Sequence, residues 1–323
     1  MEWIALKAQL LQAGAVRVEG EPIPVACIGR STAGPGAGGS GSIFFSMGGR
    51  RVRLGMNRRS PVTLRYLGNG EAAVIIDGHI YSGVLEPVGL HCPRQAYITL
   101  SERCIYRCRY CMVHRLKGEI KPPVQIVESV KSVLDRVDAI SVTSGVAESI
   151  EKDEERTLAL LRLLRPLGLP VGVSIYPRPE TPLHLHELGV VEVKFNVETA
   201  SERLFEEMCP GLRRQEIWRV LERSVELFGE NHVFSNVIIG LGETDAELEE
   251  IIEGLADAGV IPVCRPLNPV PSLPALRRPA AARLLDVAGM EERVLKRAGL
   301  DTKVARTMCI ACTGCDLVPG RDT

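Results

Sequence analysis

From residue 96 to residue 266 the sequence repeats one pattern six times: a short β-branched run, a loop, then a stretch with helical apolar spacing. Strands are expected at 96–100, 139–143, 170–175, 191–196, 233–239 and 261–266. Helical patterns lie between and after them at 124–137, 153–167, 182–188, 201–208, 214–228 and 245–258. Strands alternating with helices indicate a parallel sheet, here wrapped as a partial barrel. In such barrels the chemistry sits in the loops that follow strand C-termini. A last helix is expected at about 279–297, before a tail.

Residues 1–90 read differently. The run from Ser31 to Ser42 is built almost entirely of Gly, Ser, Ala, Thr and Pro, which no helix tolerates. It lacks the Lys-Ser/Thr of a phosphate-binding loop and the strand–loop–helix context, so a flexible connection or lid is expected. Alternating or β-branched runs at 42–46, 51–54, 62–66, 73–76 and 79–85 predict a small β-rich module. The 39 basic and 40 acidic residues give a net charge of −1, so no global field draws nucleic acid or membrane. No apolar run approaches the ~18 residues of a membrane span. Residues 1–12 lack the basic segment and cleavage site of a signal peptide.

Ten cysteines are present, six of them in two tight triplets. That usage suits metal in a reducing compartment better than disulfides, and a cytoplasmic protein is expected. Cys104, Cys108 and Cys111 have the spacing C-x3-C-x2-C and follow the first barrel strand directly. Three thiolates hold three irons of a [4Fe–4S] cube and leave the fourth open to a ligand that is not protein. A zinc site, the alternative, wants four ligands. Cys309, Cys312 and Cys315 form a second triplet, C-x2-C-x2-C, which suits an auxiliary [4Fe–4S] cluster or a structural zinc with a distant fourth ligand. Cys27, Cys92 and Cys264 are possible fourth ligands and Cys209 a less favoured one, although free buried cysteine is the default for each. The expected fold is therefore α/β: a partial (β/α)6 TIM-type barrel over 91–300, a β-rich module over 1–90 and an iron–sulfur tail over 301–323.

The first triplet, with Tyr110 just before its last cysteine, resembles the signature of the radical S-adenosylmethionine (SAM) superfamily. In that family the open iron chelates the amino and carboxylate groups of SAM, and one electron splits the sulfonium to a 5′-deoxyadenosyl radical. Three further segments carry the likeness between about residues 97 and 270. Val142 to Ala147 stands where the family places a Gly-Gly-Glu-like segment, which implies that Thr143, Ser144 and Gly145 meet SAM; a plain βα turn is the alternative. Lys194-Phe-Asn-Val-Glu-Thr199 is similar to the Asn-x-Glu/Asp-Thr segment of the biotin synthase and lipoyl synthase branch. There the Asn and the acid bond the ribose of SAM, which implies the same for Asn196 and Glu198, set on one side of a strand by its two-residue period. Ile239, Gly240, Leu241, Gly242 and Glu243 match the segment that packs on the adenine in that branch. Arg203, like Arg213 and Arg214, is a candidate for the SAM carboxylate, with a helix-surface arginine as the commoner alternative. No protein side chain is expected to be catalytic, because cluster and SAM carry the chemistry.

The resemblance also bounds the function. Biotin synthase holds a second cluster on barrel-strand cysteines; the corresponding positions here are Ser141, a residue near Gly172, and Phe234, so biotin synthesis is disfavoured. Single-chain lipoyl synthases carry an N-terminal C-x4-C-x5-C that is absent here. The arrangement is closer to the two-component lipoyl synthase of archaea and some bacteria. That implies sulfur insertion from the auxiliary cluster into an octanoyl chain on a lipoyl carrier domain, a possible paralogous radical SAM subunit, and an electron donor such as ferredoxin. Two other readings stay open: another radical SAM reaction of this branch with the tail cluster as electron relay or substrate anchor, and a non-enzymatic iron–sulfur protein.

Overall fold

The computed structural model describes residues 2–30, 39 and 41–323, so most of the Gly/Ser-rich run expected to be a connection or lid lies outside the described residues. The chain opens with a helix, α1 (Trp3–Ala13), closed by Gly14 in the left-handed region at φ 67°. Six strands follow: β1 (Ala15–Gly20), β2 (Ser42–Met47), β3 (Arg50–Met56), β4 (Thr63–Gly68), β5 (Glu71–Ile76) and β6 (His79–Leu85). They form a closed barrel in the order β1-β3-β2-β6-β5-β4. The hairpins are antiparallel, whereas β1 runs parallel to both β3 and β4 and seals the barrel. Phe45, Leu54, Leu64 and Val74 fill its core.

The second sheet begins with β7 (His91–Cys92), paired antiparallel to β8 (Gln95–Thr99). Then come β9 (Ala139–Thr143), β10 (Val171–Ser174), β11 (Glu192–Lys194), β12 (Val233–Ile239) and β13 (Ile261–Pro266), each parallel to its predecessor. The crossovers carry α2 (Pro123–Lys131), α3 (Ile150–Leu164), α4 (Thr181–Glu187), α5 (Glu202–Met208), α6 (Arg214–Phe228) and α7 (Asp245–Asp257). Local chemistry sets their starts. The Ser149 side chain accepts from the Lys152 N–H at the head of α3, and Thr244 and Glu247 form a reciprocal capping box at α7. After α8 (Ala281–Ala298) the tail forms the short α9 (Met308–Cys312). This is the expected half-barrel, with β11 three residues shorter than expected, one at its start and two at its end, where it stops at Lys194. Among the described residues no helix is long and apolar enough to cross a membrane.

The tail runs inside the curled sheet, not behind it. The strand registers put Gln95, Ser141, Gly172 and Glu192 on the concave face, below the residues that line the cavity described next. Gln95 exchanges two hydrogen bonds with the Met308 backbone, at 2.8 and 3.1 Å, and Ser141 Oγ accepts from Met308 N at 2.9 Å. The buried Glu192 carboxylate accepts from Arg306 N (2.7 Å), Thr307 N (2.8 Å) and the Thr307 hydroxyl. A Cβ on Gly172 would stand 2.0 Å from Thr307 Oγ1, so the missing side chain is the space the tail passes through. From the other side Lys7 of α1 donates to the Thr313 carbonyl and Arg53 N of β3 donates to Gly314 O at 2.7 Å.

Candidate active site

Cys104, Cys108 and Cys111 sit on the loop after β8, which is pinned on both sides. Gly145 N donates to Ser101 O (3.0 Å), Ile105 N to Val146 O (2.7 Å) and Arg109 N to Met208 O (2.8 Å). A Cβ on Gly145 would lie 2.2 Å from the Arg103 carbonyl. The glycine is therefore required by the close approach of the cysteine loop itself. Burial pushes the Cys104 thiol up and the Cys111 thiol up to about 12, while contact with Cys209 and then burial raise Cys108. Without metal these thiols keep their protons, and iron binding must displace them. Tyr110 is buried behind the triplet and takes a hydrogen bond from Cys209 Sγ at 3.6 Å.

The three cysteines line a cavity of ≈ 580 Å³, of ligand-pocket size. Thr143, Ser144, Gly145, Asn196 and Glu198, all singled out from the sequence, line it as well. Asn196 and Glu198 lie past the end of β11, and Glu198 turns inward through a left-handed backbone at φ 60°. Burial raises its carboxyl above the usual value, against the pull of Lys194 and of hydrogen bonds from Asn196 and Tyr110.

Other expected positions fall elsewhere. Ile239, Gly240, Leu241, Gly242 and Glu243 are not among the lining residues; Asn236 and Ile238 are, because the pleat turns alternate residues of β12 inward. Glu243 folds back on its own loop and accepts from Gly240 N (2.7 Å) and Leu241 N (2.8 Å). Arg203 is exposed and pairs with Glu247 at 3.5 Å, away from the cavity. Arg213 pairs with Glu216 and Arg214 with Glu202 on helix surfaces.

Cys309, Cys312 and Cys315 line this same cavity. Burial pushes Cys309 up, but Arg265 and Lys194, the latter with Nζ 3.4 Å from Sγ, outweigh it and hold the thiol below its ordinary value. Cys312 is held at about 7, chiefly by a hydrogen bond from Cys92, which itself is raised by the same contact and by burial. Arg265 also pairs with Asp316 at 3.3 Å. Lys194 and Arg265 were not singled out from the sequence, although a charged residue inside an apolar parallel strand is itself a signal. Among the described residues no three His, Cys, Asp or Glu are gathered as a single metal ion would need.

The family model of the radical SAM superfamily matches residues 98–255. The lipoyl synthase of Chlamydia felis is 26% identical over 178 residues, covering 51% of this chain and 55% of that protein. The ribosomal protein uS12 methylthiotransferase RimO of Methylococcus capsulatus is 26% identical over 245 residues, covering 66% and 55%. The chain thus spans about half the length of these relatives. Among solved structures, the FeFe-hydrogenase maturase HydG from Carboxydothermus hydrogenoformans superposes with a TM-score of 0.51 at 16% identity, over 63% of this chain and 52% of that one. At that identity the likeness concerns the fold. Residues 98–255 carry a radical SAM domain. Such a domain implies a [4Fe–4S] cluster and SAM, and the site fits them. Three thiols stand on one loop at the C-terminal end of a barrel strand, facing a cavity with polar groups at Asn196 and Glu198.

Proposed function

We propose that this radical SAM enzyme inserts sulfur into an unactivated C–H bond of an octanoyl chain carried by a lipoyl domain, drawing the sulfur from a second [4Fe–4S] cluster on Cys309, Cys312 and Cys315. One observation carries the reading: the two cysteine triplets, about 200 residues apart in sequence, open into a single cavity. Cluster and SAM, when bound, supply a hydrogen-abstracting carbon radical. The protein positions them and keeps water away. Cys104, Cys108 and Cys111 hold the first cluster, Asn196 and Glu198 orient SAM, and Thr143 to Gly145 bring main chain to it. The exposed Arg103, Arg107, Arg115 and Lys117 beside Cys104 suit an acidic electron donor such as ferredoxin. A paralogous radical SAM subunit that shares the two sulfur insertions belongs to the same reading. The relatives named lipoyl synthase support it at the level of the branch.

A second reading rests on Lys194 and Arg265 beside Cys309, cations that favour an added electron on the tail cluster and so an electron relay. Reconstituted enzyme incubated with SAM, reductant and an octanoyl-lysyl peptide separates the two by mass spectrometry. Sulfur insertion yields thiolated peptide with 5′-deoxyadenosine. Formation of 5′-deoxyadenosine without thiolation, with and without a partner subunit, refutes it. Changing Cys309, Cys312 and Cys315 to Ala abolishes thiolation but spares SAM cleavage under the first reading, and abolishes both under the second.

A further inference from the structure

We propose that Cys92 is the fourth ligand of the tail cluster, so that Cys92, Cys309, Cys312 and Cys315 form a closed four-thiolate site with no open iron. The inference rests on the second cluster proposed above and names how it is held. Four cysteines lie outside the two triplets. Cys209 is packed on Cys108 and Tyr110, at the first triplet. Cys264 alternates with the inward Arg265, turns out of the sheet's concave face and meets Glu291 of α8. Cys27 lies on a turn (Val25–Cys27) and is not among the residues lining the cavity. Cys92 lines the cavity together with all three tail cysteines, and it touches Cys312 in a small buried cluster with Phe44.

Backbone conformation points independently to three of these thiols, Cys92, Cys309 and Cys312. Among the described residues, eight non-glycine residues have positive φ. Asn69, Asp77 and Asn231 are types that tolerate it. The others are Glu198 in the SAM pocket, His91, whose type is also enriched there, and Arg94, Met308 and Thr313. His91 (φ 83°) immediately precedes Cys92, Met308 (φ 57°) immediately precedes Cys309, and Thr313 (φ 56°) immediately follows Cys312. Each is held in place. His91 Nδ1 bonds the Arg30 carbonyl at 2.7 Å, Met308 is gripped by Gln95 and Ser141, and the Thr313 carbonyl accepts from Lys7. Backbone strain persists where the surroundings over-determine it, and it clusters at functional sites. What these residues share is that each aims a cysteine at one place. Two glycines serve the same convergence: a Cβ on Gly29 would lie 2.8 Å from His91 O, and one on Gly314 would lie 2.6 Å from Phe44 Cε1.

A closed site differs in kind from the first cluster. It offers no iron to SAM or to substrate, so only its sulfide or an electron can leave it. The test uses the full chain with Cys104, Cys108 and Cys111 changed to Ala, reconstituted anaerobically, so that any cluster is the tail cluster. This parent is expected to hold about four irons and four sulfides per chain. Adding Cys92→Ala is expected to lower the count to about three irons, with the near-isotropic EPR signal of a three-iron cluster, or to abolish binding. Cys92→Ser, which keeps the side chain's size, is expected to keep four irons with one altered Mössbauer site. Cys264→Ala is expected to leave the spectra of the parent unchanged. Four irons with parental spectra in Cys92→Ala and Cys92→Ser overturn the inference, as does a change that appears in the Cys264 variant instead. A parent that binds no iron, or that carries a Cys92–Cys312 disulfide, refutes the second-cluster reading itself. Far-UV circular dichroism identifies a variant that fails to fold, and the serine variant then decides.

Discussion

Replacing Asp322 with Asn tests how the tail is held. The Asp322 carboxylate accepts from Lys7 Nζ at 2.6 Å, Trp3 Nε1 at 3.1 Å and Val318 N at 2.8 Å. The side chains of Lys7 and Asp322 are 0% and 1% exposed, so water screens nothing there. Asn keeps the size and one acceptor, but it leaves the ammonium of Lys7 without a countercharge, facing only the Thr313 carbonyl. Breaking one side of a buried pair costs about 3–5 kcal/mol. That is a large share of a whole stability of about 5–15 kcal/mol. The assay is denaturant unfolding of the reduced, metal-free protein, for Asp322→Asn, Lys7→Met and the combined Lys7→Met/Asp322→Leu. Each single change is expected to lose about 3 kcal/mol or more, and the combined change less than the sum, since no charge is left buried. Because Thr313 directly follows Cys312, iron at the tail triplet is expected to fall before iron at the first triplet. Losses under about 1 kcal/mol, or a combined loss equal to the sum of the singles, would refute the clamp.

Three further outcomes follow from particular contacts. Gly172→Ala places a Cβ 2.0 Å from Thr307 Oγ1, and is expected to cost about 1–3 kcal/mol in thermal unfolding and to lower tail iron. Gly145→Ala meets backbone, the Arg103 carbonyl at 2.2 Å, and by displacing the cysteine loop is expected to cut SAM cleavage by about 10²-fold while the tail iron remains. Glu291 is buried with one carboxyl oxygen unpartnered, and burial, reinforced by Asp316, raises it well above 4.5. Its folded state binds the proton more tightly than the unfolded one. Stability is therefore fully present below about 4.5 and falls as pH rises toward the folded value. Glu291→Gln is expected to flatten that slope and to exceed the parent's stability at neutral pH, as read from unfolding midpoints across pH.

The strands were legible because each is a compact β-branched run, and the observed β9, β12 and β13 coincide with the expected ranges. Helix α1 was not legible. Leu6, Lys7, Ala8, Leu10 and Leu11 are all buried, so no polar face marks a helical period, and one of the buried residues is a lysine. Parallel pairing of β1 with β3 and β4 joins strands far apart in sequence and leaves no local signal. The cysteine loop was singled out by its spacing and the Asn196–Glu198 pair by the resemblance, and the structure brings both to one cavity. Ile239 was expected at the site from the resemblance, whereas the alternation along β12 turns Ile238 toward the cavity. Arg203 drew attention by its charge, but a neighbouring carboxylate at Glu247 satisfies it at the surface.

The inward positions of the first strands make sense only with the tail in place. In an ordinary barrel these layers are filled by branched apolar side chains. Here Gln95, Ser141, Gly172 and Glu192 stand there, three polar residues and an empty space. Buried and unpartnered, the polar groups would each be costly. Their partners are backbone groups of Arg306, Thr307 and Met308, which in turn would be left unpaired without the strands. Sheet and tail therefore satisfy each other, and the path of the tail is set by polar complementarity rather than by apolar packing. Ser141 and a residue near Gly172 are also positions from which the resemblance to biotin synthase would have a strand present a second cluster. A backbone guided between those two residues, with left-handed turns at Met308 and Thr313, delivers three thiols into the cavity, which Cys92 of β7 also lines.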